Sequence, residues 1–281
     1  QSLTNNIIWN IFADQEHNIW LGTDYGISLS RYNSALQFIP ISQITGTGDG
    51  NQFYSLFRDS KGFYWFGGTN GLIRFTDPAG ERHDTIWYRM GDKTYPLSHN
   101  RIRHIYEDKE QQLWIATDGS INRYDYATRQ FIHYNIVDST GMYNTNWTYY
   151  MFEDTAGQLW ISTCLGGIFV VDKHKLMQSA SGQYVAEQNY SVHNGLSGMF
   201  INQIIPDNEG NVWVLLYNNK GIDKINPRTR EVTKLFADEL SGEKSPNYLL
   251  CDEDGMLWVG FHGGVMRINP KDESQQSISF L

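Results

Sequence analysis

Six times the chain places an Asp six residues ahead of a Trp. The copies read "DQEHNIWLGT" (14–23), "DSKGFYWFGG" (59–68), "DKEQQLWIAT" (108–117), "DTAGQLWIST" (154–163), "DNEGNVWVLL" (207–216) and "DEDGMLWVGF" (252–261). Their tryptophans, Trp20, Trp65, Trp114, Trp160, Trp213 and Trp258, are spaced by 45, 49, 46, 53 and 45 residues. A period of this length belongs to propellers and repeat arrays, in which each repeat is one unit of secondary structure.

Each cassette lies in the same local pattern. Ahead of Asp14, Asp59, Asp108, Asp154, Asp207 and Asp252 stands an alternating run such as "FYSLFR" or "IRHIYE", which predicts a strand with one buried face. Four copies continue as Asp-x-x-Gly, which suits a type I turn: the carboxylate can accept backbone N–H groups, and Gly at the fourth position can turn left-handed. The Trp-centred run is the returning second strand. A loop ending in Gly leads to a third ("LIRF", "INRY", "IDKI", "VMRI"), and most copies add a weaker outer fourth, as in "QFIHYNI" and "EVTKLF".

Four antiparallel strands cannot cover both of their own faces, so the units must stack around an axis. The predicted fold is an all-β propeller of four-stranded antiparallel blades. Six repeats are present, making either a six-bladed ring or part of a seven-bladed one. The repeat cores lie near 7–33, 53–76, 102–125, 147–172, 201–226 and 247–270 of a single propeller segment over 1–281. The start "QSLTNNIIWN" falls in register with a repeat and has no Met, basic region or cleavage pattern, so the segment reads as a piece of a larger multidomain protein. In this scheme the tryptophans are wedges between blades. Small residues two positions on (Gly22, Gly67, Ala116, Ser162, Gly260) admit the neighbouring blade, with Leu215 the exception.

Composition then narrows the function. A net charge of −9 with no clustered Lys or Arg argues against nucleic acid and against anionic membrane surfaces. No apolar run approaches the ~18 residues of a membrane span. Cys164 and Cys251 occupy different positions within their repeats and read as isolated small apolar residues rather than a disulfide. The six Asp would be spread around a ring, too far apart to share a metal. "DNEGN" and "DEDGM" lack the distal Glu of a calcium loop, and the eight His form no zinc pattern. No metal, no cofactor and no catalytic residue are expected. Nucleophile elbows, Cys–His pairs and phosphate loops are all missing from the sequence.

What differs between repeats is more informative. In a propeller the loops joining the second and third strands open on the same face as those joining one blade to the next, and rigidly held loops carry function. The first set contributes Asp24, Tyr25, Asn70, Asp118, Asn219 and His262. The second adds Trp9, His99, Asn100, Tyr143, Asn144, Asn146, Trp147 and Asn202. Aromatic rings beside amides and carboxylates suit sugars, whose C–H faces stack and whose hydroxyls need donors and acceptors. Candidate ligand contacts are therefore Tyr25, Asn70, Asp118, Tyr143, Asn144, Asn146, Trp147, Asn219 and His262. The run "NIVDSTGMYNTNWTYYMFE" between Tyr134 and Trp160 departs furthest from the repeat. Turn chemistry explains loop Asn equally well, and Trp147 could instead close the gap between two blades.

"IWNIFADQEHNIWLGTDYGISLSRYN" and "RIRHIYEDKEQQLWIATDGSINRYD", with the other four cassettes, resemble the two-component regulator propeller repeat. That repeat occurs in the periplasmic sensor region of hybrid two-component systems, the glycan-use regulators of gut Bacteroidetes. The resemblance spans essentially the whole chain. It implies a non-enzymatic periplasmic sensor responding to an oligosaccharide, with an adjacent propeller and a β-sandwich in the parent chain and a homodimer as a further partner. Histidine kinase activity, DNA binding and the membrane helix would belong to the parent alone. Members of the family have seven-bladed propellers, whereas six motifs are visible here. Two alternatives stay open: a propeller lyase, for which His262, His193 and Asp118 are the suggestive residues, and a scaffold that binds nothing itself.

Overall fold

The Asp carboxylate organises the hairpin in every repeat. In the second copy, Asp59 Oδ1 accepts the backbone N–H groups of Lys61 (3.0 Å) and Phe63 (2.8 Å), and Asp59 Oδ2 accepts the indole N–H of Trp65 at 2.7 Å. The indole bond recurs at Trp20 (2.8 Å), Trp114 (2.9 Å), Trp160 (2.9 Å), Trp213 (2.9 Å) and Trp258 (2.7 Å). The six-residue spacing therefore has a cause beyond the turn: it lets one carboxylate cap the turn with one oxygen and satisfy a buried indole with the other.

The computed structural model describes residues 3, 5–32, 36–39, 51–76, 85–94, 96–179, 183–217 and 221–280. The chain divides into two compact units, Gln1–His133 and Tyr134–Leu281. The first holds the sheets β1(Ile8–Ala13)-β2(Ile19–Thr23)-β3(Gly26–Ser30)-β4(Leu36–Ile39) and β5(Phe53–Arg58)-β6(Tyr64–Gly68)-β7(Gly71–Phe75)-β8(Ile86–Tyr88). A third sheet begins with β9(Ile102–Glu107), β10(Leu113–Thr117) and β11(Ser120–Asp125), and its fourth strand β12(Gln130–Val137) continues into the second unit. The second unit holds β13(Thr148–Glu153)-β14(Gln158–Thr163)-β15(Ile168–Asp172)-β17(Gln188–Tyr190), β18(Ile201–Pro206)-β19(Val212–Leu216)-β20(Ile222–Asn226)-β21(Glu231–Leu235) and β22(Pro246–Cys251)-β23(Leu257–Phe261)-β24(Gly264–Ile268)-β25(Gln275–Ser279). These are the blades of a six-bladed all-β propeller fold.

The fourth blade departs from the expected plan. Between β15 and β17 the chain inserts a short helix α1(Lys173–Gln178), capped by the Asp172 side chain, and a strand β16(Gln183–Val185) that pairs parallel with β12. The insertion accounts for the longest spacing between tryptophans. Its first helical residue, Lys173, has a fully buried side chain whose ammonium lies 2.9 Å from Glu153 Oε1 at the end of β13.

Within each unit the tryptophan of one blade packs on the next. Trp20 shares a core cluster with Phe53, Leu56, Tyr64 and Phe66. Trp65 shares one with Ile102, Ile105, Leu113 and Tyr124, and Trp213 with Leu249, Leu257, Val259 and Met266. Trp20, Trp65, Trp114, Trp160 and Trp213 are at most 1% exposed, and Trp258 in the last blade is only partly buried. The blades also approach closely two positions past the indole. A Cβ on Gly67 would lie 2.4 Å from Ile102 Cγ2, so the neighbouring strand occupies the volume of the missing side chain.

Where the turn lacks Gly, the chain still bends left-handed. Gln111 has φ 61° and His17 has φ 62°, against φ 80° at Gly157 and 85° at Gly210. A left-handed non-Gly residue costs about 1–2 kcal/mol, and Gly gives back roughly half of that through unfolded-state entropy. Gln111→Gly is therefore expected to stabilise the protein by about 0.5–1 kcal/mol in urea unfolding. A loss of stability would refute this account of the turn.

Candidate functional site

All six innermost strands carry a β-bulge near their start. The register skips one residue in each: Trp9, Tyr54, Arg103, Tyr149, Asn202 and Asn247. A bulge breaks simple alternation and re-aims the local side chains, and bulges of this kind are frequent beside binding sites. In the first unit three of these residues form a row. The Trp9 and Tyr54 rings meet edge to face at 5.3 Å between centroids, and the Arg103 guanidinium carbon lies 5.6 Å from the Tyr54 ring centre.

Carboxylates from the loops hold both ends of this row. The Trp9 indole N–H donates to Asp24 Oδ1 at 2.5 Å, and the Gln52 side-chain amide donates to the same oxygen at 3.0 Å. Tyr54 in turn donates its hydroxyl to Gln52 Oε1 at 2.7 Å. At the other end Arg103 forks onto Asp118, Nε to Oδ1 at 2.8 Å and Nη2 to Oδ2 at 3.3 Å, with Arg101 Nη1 at 3.7 Å from Oδ2. The Asp118 side chain is 8% exposed and sits in a charge-paired, largely occupied position. Tyr25, next to Asp24, is 70% exposed. Asn70 is half-buried, and its backbone carbonyl accepts the Trp87 indole N–H at 2.9 Å.

The irregular loop of the second unit is built on Asp138. Burial pushes its carboxyl up, but the Thr140 hydroxyl and the backbone N–H groups of Tyr143 and Thr140 outweigh this and hold it below the usual carboxylate range. The turn presents Met142 and Asn144 to solvent, and the Asn146 N–H closes on Asn144 Oδ1 at 3.0 Å. Trp147 follows at φ 55° with 46% of its surface exposed, its carbonyl accepting the Cys164 N–H at 3.0 Å. A bulky residue in the left-handed region is strained, and such strain concentrates at functional positions. Beside it, the Tyr143 hydroxyl lies 3.5 Å from His193 Nε2.

The sequence-derived candidates thus separate into Tyr25, Asn70 and Asp118 in the first unit and Tyr143, Asn144, Asn146, Trp147 and His262 in the second. Tyr143 to Trp147 form one loop, whereas His262 is exposed in a separate turn. Asn219 lies outside the described residues. Sequence reasoning missed Gln52, Tyr54 and Arg103, because they fall inside or against a strand and only loop residues were taken as candidates. Among the described residues no cluster of His, Cys, Asp or Glu could hold a metal ion, and Cys164 and Cys251 are both free thiols. No helix among them is long and apolar enough to cross a membrane.

Comparison with known proteins bears on the repeat and the fold. The family model "Two component regulator propeller" matches residues 2–25, 47–70 and 96–119, three of the six repeats. The extracellular domain of a hybrid two component system from B. thetaiotaomicron is 96% identical over 100% of the chain, with a TM-score of 0.86. This chain covers 38% of that structure, so it spans well under half of the length of its relative. A second such extracellular domain from B. thetaiotaomicron shares 19% identity at a TM-score of 0.76 over 99% of the chain and 35% of its own. Virginiamycin B lyase from Staphylococcus aureus, in a structure with quinupristin, shares 14% at a TM-score of 0.73, over 100% of the chain and 87% of its own; this likeness is one of fold. No curated protein sequence matches. With its six cassettes, its blades and a near-identical stretch in the extracellular domain of a hybrid two-component system, the chain carries two component regulator propeller repeats.

Proposed function

We propose that the chain is a non-enzymatic, periplasmic ligand-recognition segment of a hybrid two-component regulator, and that its ligand is an oligosaccharide. The observation that carries this reading is Trp147. A Trp that merely closed a gap between blades would be buried like Trp20, Trp65, Trp114, Trp160 and Trp213, whereas Trp147 is 46% exposed on a strained backbone beside Tyr143, Asn144 and Asn146. A rigid aromatic face flanked by amide donors and acceptors is what a sugar ring requires. Within the second unit His262 is a further ligand contact in this reading, and Tyr25 and Asn70 form a separate candidate set in the first unit. The adjacent propeller and β-sandwich of the parent chain, and a homodimer, would carry the signal onward.

Trp147→Ala tests it. In calorimetric titration with neutral and acidic oligosaccharides the variant is expected to bind at least about tenfold more weakly, the effect of losing one stacking aromatic in a pocket. Its thermal midpoint should stay within ~2 °C of wild type, since an exposed side chain contributes little to stability. Unchanged affinity would remove this loop from the site, and a large fall in midpoint would make Trp147 a packing residue.

A further inference from the structure

Asp24 stands apart from the other loop carboxylates. One of its oxygens, Oδ1, is shared by two uncharged donors, the indole of Trp9 and the amide of Gln52. No described residue donates to Oδ2, and no described cation pairs with the group. Asp118, at the other end of the row, has both oxygens engaged by Arg103. The half-buried Asp24 carboxylate is thus fixed in place with acceptor capacity left over, since a carboxylate offers about four lone-pair sites.

The surroundings define what would use that capacity. Trp9 is 47% exposed, and its ring is immobilised by the Asp24 bond and by the edge of Tyr54, so little conformational entropy remains to be lost when a ligand stacks on it. Tyr25 adds a second exposed ring next in sequence to Asp24. A ligand suited to this corner has a flat apolar face and adjacent O–H donors, which describes a pyranose with vicinal hydroxyls. It carries no negative charge: the cations of this row, Arg103 and Arg101, already face Asp118, and among the described residues no cation pairs with Asp24 to receive an anion in a chain of net charge −9.

We propose that Asp24 and Trp9 form a subsite for the vicinal hydroxyls of a neutral hexose, with Gln52 as the residue that positions Asp24. This rests on the glycan reading above but concerns different residues, in the first unit rather than at Trp147. It also separates two roles of one carboxylate: Oδ1 belongs to the protein and Oδ2 to the ligand.

Asp24→Asn and Trp9→Ala test the subsite in the 281-residue chain. Binding of β-1,4-linked glucose, galactose and mannose tetraoses and of trigalacturonate is measured by calorimetry, with thermal midpoints recorded alongside. Asn can still present one oxygen to Trp9 and Gln52, but it replaces the other with an N–H₂ donor. The wild type is expected to bind at least one neutral tetraose and to prefer it to trigalacturonate. Each variant should weaken that binding about tenfold or more, as expected for losing hydrogen bonds to a charged acceptor or a stacking ring, with an unchanged midpoint for Asp24→Asn. Wild-type binding that both variants leave within twofold overturns the subsite and spares the glycan reading. Preference for trigalacturonate overturns the neutral assignment. Failure of the wild type to bind any of these sugars overturns both readings.

Discussion

Replacing Trp65 by Ala is expected to lower stability by about 3–5 kcal/mol, the range for large aromatic truncations in cores. The indole is fully buried, 4.9 Å from the ring centre of Tyr124 and 5.9 Å from that of Tyr88, and it packs on Ile102, Ile105 and Leu113 of the next blade's sheet. The truncation leaves a cavity lined by two blades, and neither can collapse into it without disturbing its own sheet. The polar half of the cassette can be tested separately. Asp59 Oδ2 accepts both the Trp65 indole and, at 2.6 Å, the Tyr126 hydroxyl. Asp59→Asn can keep an oxygen for the turn, yet it turns an amide donor toward the buried Trp65 indole, which can only donate, while the Tyr126 hydroxyl can rotate to accept. That should cost about 1–3 kcal/mol, the cost of one unsatisfied buried group. Asp252→Asn, whose Trp258 is only partly buried, should cost less than Asp59→Asn because water can serve the released indole. Chemical unfolding of the three variants provides the check. Equal effects for Asp59→Asn and Asp252→Asn would show that the carboxylate acts on the turn alone and that the indole bond adds nothing.

The blades were legible in the sequence because their signals are local. A repeated Asp-to-Trp spacing, a Gly at the fourth turn position and a strand-like run before the Asp each report on a few adjacent residues; the spacing holds in all six copies and the Gly in four. The indole bond was encoded in the same spacing but invisible as chemistry, because the reach of Asp108 to Trp114 depends on how tightly the hairpin closes. The bulges were legible only in part. In "IRHIYE" the two buried isoleucines stand three apart, a break in strict alternation, and the pairing of Ile102 with Thr117 and His104 with Ala116 shows that the skipped residue is Arg103. That skip accompanies the contacts of Arg103 with Tyr54 and Asp118, so the row of the first unit depends on register and could not be read from residue types. Trp9, in contrast, was visible as a loop aromatic, although its partner Asp24 lies fifteen residues away. The helix α1 and strand β16 were signalled only as extra length in the fourth repeat, since "KHKLMQ" is too short for a helical period to stand out.

That insertion leads to the second large effect. Lys173 and Glu153 face each other at 2.9 Å with side chains 1% and 4% exposed, joining the start of α1 to the end of β13. Taking two charges out of water costs several kcal/mol per ion, which their mutual attraction repays only while both are present. Glu153→Ala strands an ammonium in the interior and should cost about 3–5 kcal/mol, the range for breaking a buried pair from one side. Replacing both, as Glu153→Leu with Lys173→Met, removes the charges together and is expected to be near neutral or stabilising by about 1–4 kcal/mol. The double variant should therefore be markedly more stable than either single one. A double-mutant cycle in urea measures this directly, because the interaction energy between two touching residues appears as the departure from additivity. Additive losses would mean that Lys173 and Glu153 act independently, each through its own packing, and would remove the ion pair as the link between the inserted helix and the blade. Non-additivity would identify the fourth blade's insertion as anchored by charge at its root and by the β12–β16 pairing at its far end, a different means of cohesion from the indole wedges that join the blades within each unit.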